Sequence, residues 1–404
     1  MAAAAFKIVG KTRQHALSFA SIKDFQLLEC DPIAFEGLIN NPYISLYSLD
    51  FETQRAVFVE TPESLMLSEV PFYWLAQYEH AIQVITLPFP DFLSLARQIS
   101  VEPGNLRFIY SVGRAGSTLA SQIFTCVDNV EVISEPDALT VIVAARYAAR
   151  RNDFKPNKQA NKQADGQVDE QVIKALLAAS VCFLCKSKTA TQFVIKGRSQ
   201  IAEIGDWLCE LYPQAKNLFL YRDAESWLVS AKRAFTDGVQ RDSQAQVALE
   251  QATRIALSCV TQLIANYPDD QHLSIVEQLV LTWLSAMDAC MRMHNAGAEI
   301  LPIRFSSWRL YPEETARRML VYCDVQLSSD QKLREVLGRD SQANTMLAQA
   351  AMQNRVQRNE QGLLPSDIES LNYHLQRHHV VRSADFNIPA TLSHAHAVSE
   401  LKNT

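Results

Sequence analysis

Between residues 106 and 305 the apolar positions change period repeatedly. Short runs rich in β-branched and aromatic side chains, at 106–111, 130–133, 192–196, 217–222 and 299–305, predict strands. Between and after them, stretches with a three-to-four-residue period predict helices near 117–127, 171–188, 201–211, 225–235, 276–294 and 312–323. In the helix at 276–294, Val276, Leu279, Val280, Trp283, Leu284, Met287, Cys290 and Met291 share one broad face, the mark of a core stripe. Strands separated by helices predict an α/β fold: three layers, α/β/α, around a central parallel sheet.

The first 103 residues read differently. Apolar runs such as Ala56-Val57-Phe58-Val59, the prolines Pro62, Pro71, Pro88 and Pro90, and the aromatic cluster Phe72-Tyr73-Trp74 suggest a mixed or helical extension. Residues 152–171 offer almost nothing to bury and predict a mobile polar excursion from the surface. Residues 236–275, with a helical run at 245–264, read as a helical insertion, and residues 346–404 as a helical segment and tail. No repeat of solenoid period is present.

Composition narrows the class. At 404 residues, with 48% hydrophobic and 20% charged side chains, the chain can bury a sizeable core, which excludes disorder and collagen. The formal charge of -6 withholds the overall positive field that non-specific nucleic-acid binding needs. Eight cysteines lie scattered in apolar surroundings, as reduced thiols do, and Cys182 and Cys185 read as helix core rather than as half of a zinc or redox site. No signal-peptide-like stretch or 18-residue apolar run is present, so the expectation is a cytoplasmic protein without a membrane span.

Only 12 residues are glycine, which makes Gly113 and Gly116 conspicuous. They lie in Ser111-Val112-Gly113-Arg114-Ala115-Gly116-Ser117-Thr118-Leu119, directly after the strand at 106–111 and before a helix. Such a turn offers backbone N–H groups and a helix start to an anionic group, with Ser117 and Thr118 as hydroxyl donors. A nucleoside-triphosphate loop places lysine after its last glycine; here the turn's cation is Arg114, which argues against ordinary ATP or GTP hydrolysis. A second segment, Tyr221-Arg222-Asp223-Ala224-Glu225-Ser226-Trp227-Leu228-Val229-Ser230, again joins a strand to a helix. Arg222 falls at the strand's carboxyl end, where open parallel sheets bind ligands, and its guanidinium suits phosphate.

Together these segments resemble the two cofactor-binding signatures of sulfotransferases that use 3'-phosphoadenosine 5'-phosphosulfate (PAPS). The resemblance covers about residues 105 to 325 and implies a P-loop-like domain over 104–345, interrupted by the two insertions. It implies that Gly113, Arg114, Ala115, Gly116, Ser117 and Thr118 hold the 5'-phosphosulfate. The 3'-phosphate falls to Arg222 and Ser230, which stand at the family's spacing of eight. Ser341, in Arg339-Asp340-Ser341-Gln342, stands where relatives carry a loop that closes on the cofactor, although the K-G-x-x-G element of the cytosolic branch is missing.

For the base, Glu135 follows the second strand, where tyrosylprotein and carbohydrate-type sulfotransferases carry a glutamate, and the histidine of the cytosolic branch is missing from Val194-Ile195-Lys196-Gly197-Arg198. Glu135 is the expected base and Lys196 the expected cation at the bridging oxygen, beside Arg114. The chain is therefore similar to the tyrosylprotein and carbohydrate-type branch more than to the cytosolic small-molecule one. The expected reaction is metal-free in-line transfer from PAPS, with 3',5'-phosphoadenosine as product, to a small-molecule, glycan or peptide acceptor. A homodimer, with contacts from the extension or the 236–275 insertion, fits the same reading. A kinase with a degenerate loop and a non-catalytic nucleotide-binding regulator are the alternatives. His374, His378, His379, His394 and His396 have no carboxylate or cysteine at zinc-like spacing and are expected at the surface.

Overall fold

A computed structural model of the chain describes residues 2–13, 18–150, 169–187, 189–235, 273–343 and 362–394. Most of the polar excursion, the helical run at 245–264, Cys259 and His396 lie outside the described residues.

The first strands are β1 (Ala2–Lys11), β2 (Phe25–Ala34), β3 (Ile44–Asp50), β4 (Arg55–Glu60) and β5 (Gln83–Pro88). They form one antiparallel sheet in the order β2-β1-β5-β4-β3. Of the two readings of the extension the mixed one holds, since helices such as Tyr73–His80 and Phe89–Ala96 accompany this sheet. Ala56, Val57, Phe58 and Val59 are wholly buried in β4, and Phe58 and Phe92 close on Phe183, a residue of helix Glu170–Leu184. The main core thus runs from one face of the antiparallel sheet into the rest of the molecule, while Val57, Val59 and Val84 on the other face belong to a second, smaller one.

The second sheet contains β6 (Leu106–Ser111), β7 (Val130–Ser134), β8 (Gln192–Lys196), β9 (Lys216–Tyr221) and β10 (Ile300–Arg304), in the order β10-β9-β6-β8-β7. All its pairings are parallel, as expected for strands joined through helices. The chain leaves β6 for β7 on one flank, returns to β8, then crosses to β9 on the other. The order therefore switches at β6, and the turn after β6 opens where doubly wound sheets bind ligands. The strands expected at 106–111 and 192–196 occupy those residues, and the strands expected at 130–133, 217–222 and 299–305 shift by a residue at their ends.

Helix Asp137–Arg150, not expected from the apolar period, buries Leu139, Ile142, Val143 and Ala145 and packs on helix Glu170–Leu184 and β3. The core stripe of 276–294 is borne out by helix Ile275–Asn295, in which Trp283, Met287 and Cys290 are wholly buried. The seven described cysteines are free thiols, and burial pushes the Cys185 thiol well above its ordinary value, as a core role requires. No described helix is long and apolar enough to cross a membrane.

Three of the histidines correct the sequence reading, while His379 is exposed as expected. His374 and His378 are buried, and His374, His378 and His394 face Glu277, Asp288 and Glu314 at 3.7, 3.4 and 3.1 Å. Their carboxylate partners lie about 80 to 97 residues away in the chain, so no local spacing could reveal them. Asp288, His378 and His379 converge closely enough to suggest metal ligands. Yet the His378 Nδ1 already accepts the Val380 and Val381 N–H groups, at 3.1 and 2.9 Å. Its proton therefore sits on Nε2, which points it at Asp288, an arrangement that fits a hydrogen bond better than a metal bond.

Candidate active site

The parallel sheet brings the expected residues to one edge, because the carboxyl ends of β6 to β10 all emerge there. After β6, Gly113, Arg114 and Gly116 all take left-handed backbone, with φ of 72°, 51° and 85°. Glycine adopts this freely, whereas at Arg114 it costs about 1–2 kcal/mol. Gly116 caps helix Ser117–Ile123, and a Cβ there would come within 3.3 Å of the Trp308 ring, so the position needs glycine on two counts. Ala115, Ser117 and Thr118 are buried beneath the turn.

Helix Ala224–Phe235 is fastened to this turn. The Trp227 indole N–H donates to the Val112 and Gly113 carbonyls at 3.0 and 2.9 Å. One helical turn on, the Ser230 hydroxyl accepts Arg114 Nε at 3.3 Å, so residues 116 apart in sequence meet. Arg114 Nη1 also donates to Gln342 Oε1 at 3.0 Å, and the Ser341 carbonyl accepts from Gln122 Nε2 at 2.9 Å. The segment around Ser341 does reach the turn, but through the Gln342 side chain and the Ser341 backbone.

Arg222, just past β9, donates from Nε to Ser226 Oγ at 2.7 Å and lies 4.7 Å from the Phe305 ring centre. Burial holds its guanidinium below the ordinary value; Asp223 opposes this, while the nearby cations Arg309 and Arg233 add to it. Mutually repelling cations beside a turn rich in backbone N–H groups are what a bound polyanion would relieve.

Glu135, just past β7, and Lys196, the last residue of the neighbouring β8, form an ion pair. Their backbones are joined too, the Glu135 N–H donating to the Lys196 carbonyl at 2.5 Å. Lys196 is 2% exposed, so it is no solvated strand end. Glu135 is bent into left-handed backbone, φ 62°, and strain of this kind in a non-glycine residue persists only where the surroundings fix it.

Sequence reasoning missed Trp227, Gln342, Arg233 and Arg309. Trp227 lies inside the second segment, on the face of its helix that also carries Ser230, so helical spacing could have raised it. Gln342 lies beside Ser341 in the segment already expected at the cofactor and Arg233 on the helix that carries Ser230, whereas the approach of Arg309 is revealed only by the fold.

A model of the sulfotransferase family matches residues 108–329, more than half of the chain, and the chain belongs to that family. No curated protein matches the sequence. Among solved structures, the fold is similar to a sulfotransferase from Mycobacterium avium, at 12% identity and a TM-score of 0.36, covering 71% of this chain and 79% of that one. It is also similar to the sulfotransferase domain of the Synechococcus olefin synthase, at 12% identity and a TM-score of 0.35, covering 72% and 98%. A third is retinol dehydratase in complex with retinol and PAP, at 11% identity and a TM-score of 0.33, covering 76% and 89%.

Proposed function

We propose that this sulfotransferase uses PAPS and moves its sulfuryl group to a hydroxyl or amine of an acceptor by in-line attack without a metal ion. The observation that supports this most is the meeting of Arg114 with Ser230 beside Arg222, which joins the two cofactor segments into one cationic, amide-lined site. The residues present fit the group. Gly113, Gly116 and the helix start at Ser117 and Thr118 would hold its 5'-phosphosulfate, and Arg222 with Ser230 its 3'-phosphate.

When bound, PAPS supplies a sulfuryl group on an anhydride oxygen, activated for transfer. The rest falls to the chain's own side chains. In its ion pair Glu135 is a carboxylate, the form that takes a proton from an attacking hydroxyl. Once Glu135 is protonated its hold on Lys196 weakens, which frees the ammonium for charge that develops at the bridging oxygen. Arg114 and the turn amides stabilise charge at the same place. A sulfuryl group carries less negative charge than a phosphoryl group, so positioned cations and amides can serve where phosphoryl transfer uses a metal.

Thermal unfolding with 3',5'-phosphoadenosine, and separately with ATP and Mg²⁺, tests this reading. At about 100 times its dissociation constant a ligand adds ~2.7 kcal/mol of stability. The expected result is a clear rise in melting temperature with 3',5'-phosphoadenosine alone. A rise only with ATP and Mg²⁺ would favour the kinase alternative, and no rise with either would favour a protein without a nucleotide site.

A further inference from the structure

The amino-terminal region lies outside the family match, yet it grips both flanks of Glu135. On one side the Ser134 hydroxyl donates to the Pro71 carbonyl at 2.8 Å. On the other, the wholly buried Asp137 carboxylate accepts from Arg13 Nη2 and from the Ala20 N–H, each at 3.0 Å. Asp137 also receives Arg198 Nη2 at 3.1 Å, and Arg198 follows Lys196 by two residues just as Asp137 follows Glu135. The ends of β7 and β8 therefore carry two rungs of opposite charge, Glu135 with Lys196 and Asp137 with Arg198. The Trp74 ring has the Arg13 guanidinium and the Arg198 guanidinium each 4.4 Å from its centre, so both cations pack on one aromatic. Arg13 itself is 3% exposed along its side chain.

We infer that the antiparallel sheet region is a positioning element for the transfer site, and that Arg13 is a positioning residue acting through Asp137 on Glu135. The inference rests on Glu135 being the base. Its physical reason is the left-handed backbone at Glu135, which relaxes unless the chain is pinned on both sides of it. The second rung, braced by Arg13 and Trp74, pins Asp137 two residues on; Pro71 pins Ser134 directly before it. A carboxylate displaced by an ångström loses its aim at the attacking hydroxyl without any change in the residues that hold the nucleotide.

The test is the full-length Arg13→Met variant, which keeps a side chain against Trp74 and removes the charge. Two quantities are read: release of sulfate from PAPS with water as acceptor, and binding of 3',5'-phosphoadenosine by calorimetry. The expected result is a fall in sulfate release of about tenfold or more, with nucleotide affinity within about twofold of wild type. In a Glu135→Gln background Arg13→Met should cost nothing further, because the two act through one group. A full rate in Arg13→Met, or losses that multiply in the double variant, overturns the inference. Should Arg13→Met not fold, Ser134→Ala, which deletes the bond to Pro71, must show the same split, and a wild-type rate there overturns it equally. A wild-type protein that neither binds 3',5'-phosphoadenosine nor releases sulfate defeats the proposed function itself, and this inference with it.

Discussion

The parallel sheet β6 to β10 and the antiparallel sheet β1 to β5 have five strands each, but their ends are disposed differently. In the parallel sheet every strand leaves by the same edge, so five connections deliver Gly113, Glu135, Lys196, Arg222 and Arg304 to one rim. In the antiparallel sheet neighbouring strands leave by opposite edges, so its strand ends are divided between two rims. What that sheet region offers instead is buried grip: Arg13, Trp74 and the Pro71 carbonyl reach across to residues flanking the rim. The groups expected to react gather on the rim of one sheet, and the region of the other packs against residues beside them.

The substitution with the largest expected effect strikes the rim directly. Glu135→Gln should lower turnover by about 10²- to 10⁴-fold, the usual worth of a general base, while 3',5'-phosphoadenosine binds as before. Steady-state sulfate transfer beside calorimetric binding checks it, and a variant with full activity would show that Glu135 is not the base. Next comes Arg222→Ala, expected to weaken nucleotide binding by ~1.5–3 kcal/mol, the worth of a charged hydrogen bond. Because it sits at the binding end of the rim, its effect should appear in the dissociation constant more than in the saturated rate.

The smallest effect distinguishes the two regions by pH. Burial holds the His374 imidazole below its ordinary value against the pull of Glu277, in a helix packed on Ile275–Asn295. Below about pH 6.5 the unfolded chain takes up a proton there that the folded chain refuses, so stability falls with pH until the folded value is passed. Around Arg13 the balance is different: burial lowers its guanidinium, but Asp137, Tyr47 and Asp24 more than offset this and leave it raised. Melting temperatures from pH 7.5 to 5.5 should therefore decline gently, and His374→Gln should flatten part of that slope by less than the ~1 kcal/mol of an average substitution.

The same contrast explains what could be read beforehand. Strands β6 and β8 were legible from the short apolar runs Phe108-Ile109-Tyr110 and Phe193-Val194-Ile195, and the two segments expected to hold the nucleotide stood out because each lies within ten residues of sequence. Strand β1 was hidden by its four successive alanines, which carry little strand preference; Ala3 and Ala5 are nevertheless wholly buried, where small side chains let the structure close. Helix Asp137–Arg150 was hidden because Asp137, Thr140 and Arg146 are buried on it, which blurs the apolar stripe. Asp137 and Arg146 are paired there with Arg13, Arg198 and Asp206, partners no local pattern announces. Arg13 and Trp74 stand over 60 residues from the glutamate they flank.

The bend at Glu135 also bears on how this position can vary. Left-handed backbone is open mainly to glycine, asparagine and aspartate, and closed to β-branched residues. Of these three only aspartate keeps a carboxylate, and it is one methylene short of the Lys196 ammonium. The conformation thus narrows the alphabet at residue 135 before chemistry is consulted.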